Sequence, residues 1–403
     1  MDSERELSIL RALLSPAGAR LLQEVQRGYA AGDVLGLSRR LRRDHPPELV
    51  AAAISQVELR RRARVKLGPD AERMYFTAEA LQQSTRRSVA DYRASRLVAH
   101  DVHTLLDLGC GVGGDLVAAG ARGIAVTGVE IDPLRAELAR ANLAALGLPG
   151  TVVDGAAEDA DRNGFDAVFA DPARRIGGRR PITGRAADPA AYSPPWDFVT
   201  DLLCGADGQT ACVKVAPGIP HELVPHGVEA EWVSDEGELK EAALWAGRPV
   251  EAQRRATLLP TGATLTEADD PGTADVLPVG AVVYEPDRAV IRAGLVTAVA
   301  DLVGGGLLDA RIAYVTGPRE VTTPFARGYR VLERLPFREK LLRAALRERG
   351  VGTLTIKKRG VEVTPEALRQ RLALRGDADA TIIVTRAAGR ATVFLVDPLP
   401  NAM

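Results

Sequence analysis

The stretch Asp107-Leu108-Gly109-Cys110-Gly111-Val112-Gly113-Gly114-Asp115 decides how this chain reads. Before it, Leu105-Leu106 continues into Asp107-Leu108 as a short buried strand. Glycines after such a strand let the backbone turn sharply and approach a ligand closely, where a side chain would block it. Further on, Ala125-Val126-Thr127-Gly128-Val129 spells a second strand that ends in Glu130, 23 residues after Asp107. An acid in that place accepts hydrogen bonds from both hydroxyls of a ribose. Asp132-Pro133 then opens a helix as N-cap and first-turn proline. Loop and acid together point to a nucleoside-containing cofactor. An ordinary strand-to-helix turn and a dinucleotide fold are the competing readings.

The spelling of the loop separates them. Asp-x-Gly-x-Gly-x-Gly, with an acid inside the strand, suits a ligand that carries an amino group, as S-adenosylmethionine (SAM) does. A dinucleotide loop needs a bare helix N-terminus for its pyrophosphate. Outward from the loop the short apolar runs continue: Thr151-Val152-Val153, Phe165 to Ala170 and Thr210 to Val215 predict three more strands. Alternation with helical segments predicts an α/β fold with a parallel sheet covered on both faces, a Rossmann-like arrangement. Glu229 to Ser234 and Leu239 to Trp245 read as an antiparallel pair, and 262–278, rich in Thr, Asp, Gly and Pro, as a loop or linker.

Residues 1–100 form an N-terminal helical region. Leu7, Leu10, Leu13 and Leu14 recur at helical spacing, Pro46-Pro47 opens a second helix, and a third is predicted from Ala78 to His100. The SAM-binding domain is then expected over 101–262 and an α+β domain over 275–403. The latter reads as strand 330–335, helix 337–349, strand 351–357, helix 364–372 and strands 380–385 and 391–396. Thr364-Pro365-Glu366 marks a helix start.

Charge is distributed unevenly behind a net value of -1. Residues 1–100 carry 18 Lys/Arg against 12 Asp/Glu and residues 327–403 carry 16 against 8, while 101–326 carry 18 against 33. Basic flanks around an acidic centre suit a polyanion held by the ends, or solvated helix faces in an arginine-rich chain. Arg39-Arg40, Arg42-Arg43 and Arg60-Arg61-Arg62 are the clusters that would grip phosphates. With only 4% aromatic residues, the chain has few platforms for stacking many bases, which disfavours broad single-strand binding. Three cysteines, Cys110, Cys204 and Cys212, show no paired spacing, and the five histidines show no metal spacing, so neither disulfides nor a metal site is expected. No stretch has the roughly 20 uninterrupted apolar residues of a membrane helix, and Met1 to Glu6 lacks the apolar core of a signal peptide. The expected location is the cytoplasm.

Residues 105–146 resemble motifs I and II of class I SAM-dependent methyltransferases. Gly111-Val112-Gly113-Gly114-Asp115 with Glu130-Ile131-Asp132-Pro133 resembles the trimethylguanosine synthase branch in particular. Tyr75-Phe76-Thr77-Ala78-Glu79 is similar to that branch's pre-motif, which folds over the cofactor. The segment from Arg330 to Pro398, with Ile356-Lys357-Lys358-Arg359-Gly360, resembles the THUMP-like domain of bacterial proteins of this layout. The resemblance implies SAM as cofactor, with Asp107, Gly109 and Gly111 at its methionine end, Gly113 in the same loop, Glu130 on the ribose and Asp154 near the adenine. It also implies structured RNA, tRNA or rRNA, as partner.

The fourth strand runs into Asp171-Pro172-Ala173-Arg174-Arg175. Methyltransferases of exocyclic amines carry Asp/Asn/Ser-Pro-Pro-aromatic here, so Asp171 and Pro172 match while Ala173 and Arg174 depart. By this likeness Asp171 orients the amine, and Arg174 stacks on the base or clamps a phosphate. An Asp-Pro-Pro-Arg motif of 5-methyluridine synthases is also similar, but that chemistry needs a nucleophilic cysteine and the three here are poorly placed. The expected reaction is methylation of a base in RNA, at an exocyclic amine such as guanine N2. A small-molecule methyltransferase, a non-catalytic RNA scaffold and, most distantly, a dehydrogenase are the alternatives. Three further segments are read as structural or left open: Ser193-Pro194-Pro195-Trp196 as a helix opening that follows no strand, Glu285-Pro286-Asp287 as a cap and turn, and Lys214 as either a substrate contact or a solvated lysine.

Overall fold

The computed structural model describes residues 2–30, 32–174, 192–205, 208–248 and 250–400. Arg175 and the side chain of Arg174 lie outside the described residues. The chain divides into two compact units, Met1–Val228 with Ala242–Glu251, and Glu229–Glu241 with Ala252–Met403.

The first unit begins with helices α1 (Asp2–Leu14), α2 (Pro16–Ala30), α3 (Val34–Leu41) and α4 (Pro47–Leu67). Leu13, Leu21, Leu22, Val25, Leu37, Leu41, Val50, Ala53 and Val57 form their shared core. Pro47 stands in the first turn of α4, where its missing N–H is harmless, and Gly68 ends that helix. The predicted helix from Ala78 to His100 is instead two, α5 (Ala78–Gln83) and α6 (Arg87–Ala99). Ser84 Oγ donates to the Leu81 carbonyl at 2.9 Å, a local bond that competes with continued helix, and Ser84 and Arg86 both take extended backbone angles.

Next come β1 (Thr104–Leu108), α7 (Gly114–Gly120), β2 (Ala125–Glu130), α8 (Pro133–Leu146), β3 (Gly150–Asp154) and β4 (Ala167–Ala170). A two-residue ribbon, β5 (Ala173–Arg174) with β6 (Tyr192–Ser193), precedes α9 (Trp196–Cys204) and β7 (Thr210–Val215). After β8 (Glu229–Asp235), β9 (Glu238–Ala246) pairs antiparallel with β7 through Ala242 to Ala246. The strand order is β9-β7-β4-β1-β2-β3, with β7, β4, β1, β2 and β3 mutually parallel. All five strands predicted here are present. The apolar side chains of β1, β4 and β7 are buried on both faces, as their unbroken runs require, while β3 at the edge of the order buries Val152 and leaves Val153 exposed. The parallel strands bring their carboxyl ends to one edge, where loops from distant parts of the chain meet.

In the second unit β10 (Arg254–Leu259) runs parallel to β8, and β11 (Ala263–Thr266) pairs back onto β10. The loop expected over 262–278 therefore contains a strand. Its partner β10 opens on Arg254-Arg255, unlike an apolar run. Arg255 is satisfied by an ion pair with the buried Glu229 at 2.8 Å, a partner 26 residues away. Then follow β12 (Val282–Pro286), α10 (Arg288–Ala293), α11 (Val296–Leu302), β13 (Gly306–Asp309), β14 (Ile312–Gly317), β15 (Ala326–Leu335), α12 (Glu339–Glu348), β16 (Val351–Lys358), α13 (Pro365–Leu372), β17 (Ala378–Ala387) and β18 (Arg390–Pro398). Asp287 caps α10, accepting from the Ala289 amide at 2.7 Å, as its sequence predicts. The seven strands order as β13-β14-β12-β15-β18-β17-β16. Leu342, Leu346, Leu368 and Leu372 of α12 and α13 share a core with Ile382, Val384, Val393 and Leu395 of the sheet.

Candidate active site

Asp107 stands near the end of β1, opposite Gly128 of β2 and Phe169 of β4. Its residue is 1% exposed, and neither carboxylate oxygen has a hydrogen-bond partner among the described residues. A buried, unpaired carboxylate is costly, and the molecule reflects it: burial, then the nearby Asp115 carboxylate, push Asp107 well above the usual acid range. Arg93 opposes that rise; its guanidinium is ion-paired to Asp115 and lies 4.3 Å from the centre of the Phe169 ring.

The loop above Asp107 has the conformation its glycines predict. Gly109 and Gly111 have φ of 81° and 57°, in the left-handed region, and a Cβ on either would meet no atom within 4 Å. The glycines are thus required by the backbone, while the space beside them is open to a ligand. The amides of Gly109 and Cys110 both donate to the Val129 carbonyl, at 2.8 and 3.1 Å, tying the loop to β2. Glu130, buried at the end of β2, accepts from the Gly111 amide at 2.8 Å and from the Asp132 amide at 3.0 Å. Each oxygen keeps a lone pair for a further donor. Gly113 packs on the helix behind it, an added Cβ lying 3.3 Å from that of Ala139. Asp154 is opposite Glu130 in the β2–β3 register, but its carboxylate is exposed and paired to Arg140 at 2.8 Å.

Two side chains absent from the sequence reading, Asn142 and Gln56, and one read there as a phosphate contact, Arg60, hold the segment Arg73 to Phe76 in place, and Asn142 ties it to this loop. Asn142 of α8 is 0% exposed. Its Oδ1 accepts from the Tyr75 amide at 2.6 Å, and its Nδ2 donates to the carbonyls of Tyr75 at 3.1 Å and Val112 at 2.8 Å. Gln56 bonds both backbone groups of Phe76, accepting from its amide at 3.1 Å. Arg60, expected with Arg61 and Arg62 to grip phosphates, is instead buried and donates to the carbonyls of Met74 at 2.7 Å and Arg73 at 3.2 Å. The pre-motif stretch and the glycine loop are therefore one hydrogen-bonded assembly. A single Asn or Gln in an apolar helix carries no local signal of such a role.

Asp171 follows β4 at the same edge of the sheet, and Pro172 beside it is buried. Asp171 Oδ2 accepts from Lys214 Nζ of β7 at 2.5 Å, and the same ammonium lies 3.3 Å from Thr85 Oγ1 in the break between α5 and α6. Of the two readings of Lys214, the one with a solvated side chain is replaced by an ion pair. Ser193 does lie in a strand, contrary to its sequence reading: β6 pairs with β5, Ala173 opposite Ser193 and Arg174 opposite Tyr192. The expected helix opening is found, with Pro195 at the N-cap of α9. Cys110 and Cys212 are buried, and burial pushes the Cys110 thiol well up, away from a thiolate; Cys204 is exposed on α9. A cavity lined by Asp101, Arg162, Asp166 and Arg248 sits at the opposite edge, where the strands begin, and contains none of these motif residues.

Among the described residues, the carboxylates of Asp107, Asp115, Glu130 and Asp171 meet the cations of Arg93 and Lys214 at this edge. An orphaned acid under an open glycine loop suits a ligand with a positively charged amino group, and a second acid at the end of β2 suits ribose hydroxyls. Both groups belong to SAM, and the donor set fits it. Sheet order, loop and acid define a class I SAM-dependent methyltransferase domain.

Comparison with known proteins agrees. Residues 105–174 match the family described as a methyltransferase domain, residues 326–398 the THUMP domain-like family, and residues 6–63 a domain of unknown function. Two curated relatives from Mycobacterium tuberculosis, strains H37Rv and CDC 1551, are named uncharacterised S-adenosylmethionine-dependent methyltransferases. Each is 39% identical over 360 residues, covering 85% of this chain and 93% of the relative. A solved structure of a candidate methyltransferase from Porphyromonas gingivalis W83 aligns with a TM-score of 0.72 at 23% identity, over 88% of this chain and 91% of that one, and so shares the fold. The chain belongs to this family of SAM-dependent methyltransferases and carries a THUMP-like domain at residues 326–398.

Proposed function

We propose that this protein methylates a base in structured RNA, tRNA or rRNA, in the cytoplasm, at an exocyclic amine such as guanine N2. The observation that carries the reading is Asp171: an acid at the carboxyl end of β4, fixed through one oxygen, with its other oxygen unbonded among the described residues. An exocyclic amine is a weak nucleophile because its lone pair is delocalised into the ring. A carboxylate that accepts one N–H turns the lone pair toward the methyl donor. SAM supplies a methyl group on a sulfonium; the C–S bond breaks as the N–C bond forms, and the amine proton leaves to solvent. Little acid–base help is needed, so holding the base in line provides most of the rate.

In this reading Asp107 takes the ammonium of the cofactor, the Gly109 to Gly113 backbone its methionine end, Glu130 its ribose, and Asp154 lies towards the adenine. Pro172 shapes the turn that presents Asp171, and Arg174 holds the base or its phosphate. The THUMP-like domain and the basic excess of residues 327–403 support docking of an RNA body, and the motif spelling supports the trimethylguanosine synthase branch.

The test is incubation of the purified protein with methyl-labelled SAM and total RNA from a strain lacking the gene, followed by nucleoside analysis. Label in one N-methylated nucleoside is the expected result. Label only in a small molecule, or none while SAM binding is intact, would replace this reading with a small-molecule enzyme or an RNA scaffold.

A further inference from the structure

Lys214 joins three parts of the first unit. Its side chain is 18% exposed, and its ammonium reaches Asp171 Oδ2 at 2.5 Å and Thr85 Oγ1 at 3.3 Å. Asp171 belongs to the end of β4, Lys214 to β7, and Thr85, itself buried, to the break between α5 and α6. The Asp171 side chain is 36% exposed and makes no other hydrogen bond among the described residues.

A half-exposed carboxylate is free to rotate about two side-chain torsions, and one bond to a substrate amine does not fix it. A charge-assisted bond from an ammonium that is itself held by a strand and a buried hydroxyl removes that freedom. It also offsets the negative charge that Asp171 would add to Asp107, which feels the Asp171 carboxylate as a like charge. We propose that Lys214 is a positioning residue for methyl transfer: seated on Thr85, it grips Asp171 by Oδ2 and leaves Oδ1 to receive the N–H of the substrate amine. The proposal rests on the reading of Asp171 given above.

A lysine that positions Asp171 differs measurably from one that only balances charge. The comparison uses full-length wild type, Lys214→Met, Lys214→Arg and Asp171→Asn. The first readout is calorimetric binding of S-adenosylhomocysteine and of sinefungin, the SAM analogue with an amine where the methyl group is carried. Removing a mere charge-balancer would strengthen binding of the cationic analogue. Loss of positioning weakens it, so in Lys214→Met the preference for sinefungin over S-adenosylhomocysteine should fall by about fivefold, with Lys214→Arg recovering part. A preference in Lys214→Met that is unchanged or higher overturns the proposal, as does loss of S-adenosylhomocysteine binding in both lysine variants. The second readout is turnover on total RNA lacking the modification. There Lys214→Met should lower kcat by roughly tenfold or more while KM stays within about threefold. An unchanged kcat with a raised KM would mean that Lys214 binds substrate instead. Asp171→Asn separates the two ideas. If it leaves both analogue preference and turnover untouched, the assignment of Asp171 fails; if it abolishes them while Lys214→Met does not, only the role of Lys214 fails.

Discussion

Asp107, in β1, and Asp171, just past the end of the adjacent parallel strand β4, live in opposite surroundings. Asp107 is fully buried, has no hydrogen-bond partner among the described residues and is held towards its neutral form by burial. Asp171 is half-exposed and already gripped by an ammonium at 2.5 Å. The first is an incomplete site that a cationic ligand completes. The second is prearranged before any ligand arrives, with one oxygen still to use. The difference assigns the two acids separate steps, binding and transfer, and that assignment can be broken.

The largest effect is expected at Asp171. Asp171→Ala should lower turnover by about a thousandfold while SAM affinity stays within roughly threefold, measured by labelled methyl transfer and calorimetry. Full activity in this variant would end its catalytic assignment. At the opposite pole, Gly111→Arg should raise the Kd for SAM by more than about a hundredfold, because the residue needs φ of 57° and the new side chain fills the open space beside the loop.

Asp107→Asn sharpens the comparison through pH. In the ligand-free protein the folded state holds the Asp107 proton more tightly than the unfolded chain does. Its contribution to stability is therefore complete below the unfolded-state value and is lost as pH rises through the folded one. At neutral pH the Asn variant should melt at a higher temperature than wild type when ligand-free, yet bind SAM about ten- to a hundredfold more weakly. Wild-type affinity should also fall as pH drops towards the raised value, with a flat profile in the variant. Equal slopes in a calorimetric pH series would show that Asp107 does not meet the cofactor's positive charge.

Asn142→Ala is expected to be milder. It strands the part-buried Tyr75 amide and the buried Val112 carbonyl, costing about 2 kcal/mol of stability and roughly three- to tenfold in SAM affinity, read by denaturant titration and calorimetry. Smallest of all, Asp154→Ala should change SAM affinity by less than about threefold, since that carboxylate is exposed and shared with Arg140.

Much of the first unit was legible in the sequence. The apolar runs predicted β1, β2, β3, β4 and β7, and they are longest where a strand is buried on both faces, as β1, β4 and β7 are. Less was legible where polar groups find distant partners. The helix break at Ser84 to Arg86 was missed because its surroundings are helix-forming, and the break puts Thr85 beside Lys214. Strand β10 was hidden because Arg255 is neutralised by Glu229 of another strand. Residues 262–278 look like a linker by composition, yet Ala263–Thr266 pairs with β10. In the candidate site, Asp107, the glycines and Glu130 were readable as a spaced motif. Gln56 and Asn142 were not, since each is an isolated polar residue on a helix, and Arg60 was read with Arg61 and Arg62 as a phosphate contact because the run of charge hides that it is buried.

What the sequence determined by itself was whatever depends on near neighbours: the loop of left-handed glycines, the acid one strand later, the proline-marked helix starts and the apolar strands. Backbone preference and short-range spacing are properties of a few consecutive residues, so they survive without the rest of the chain. Only the tertiary structure decided that Asn142 meets Tyr75 across 67 residues, that Lys214 meets Asp171 across 43, and that Thr85 joins them across 129. A parallel sheet gathers the carboxyl ends of its strands at one edge whatever chain length separates them. The partners that meet there are chosen by strand order, which local sequence does not encode.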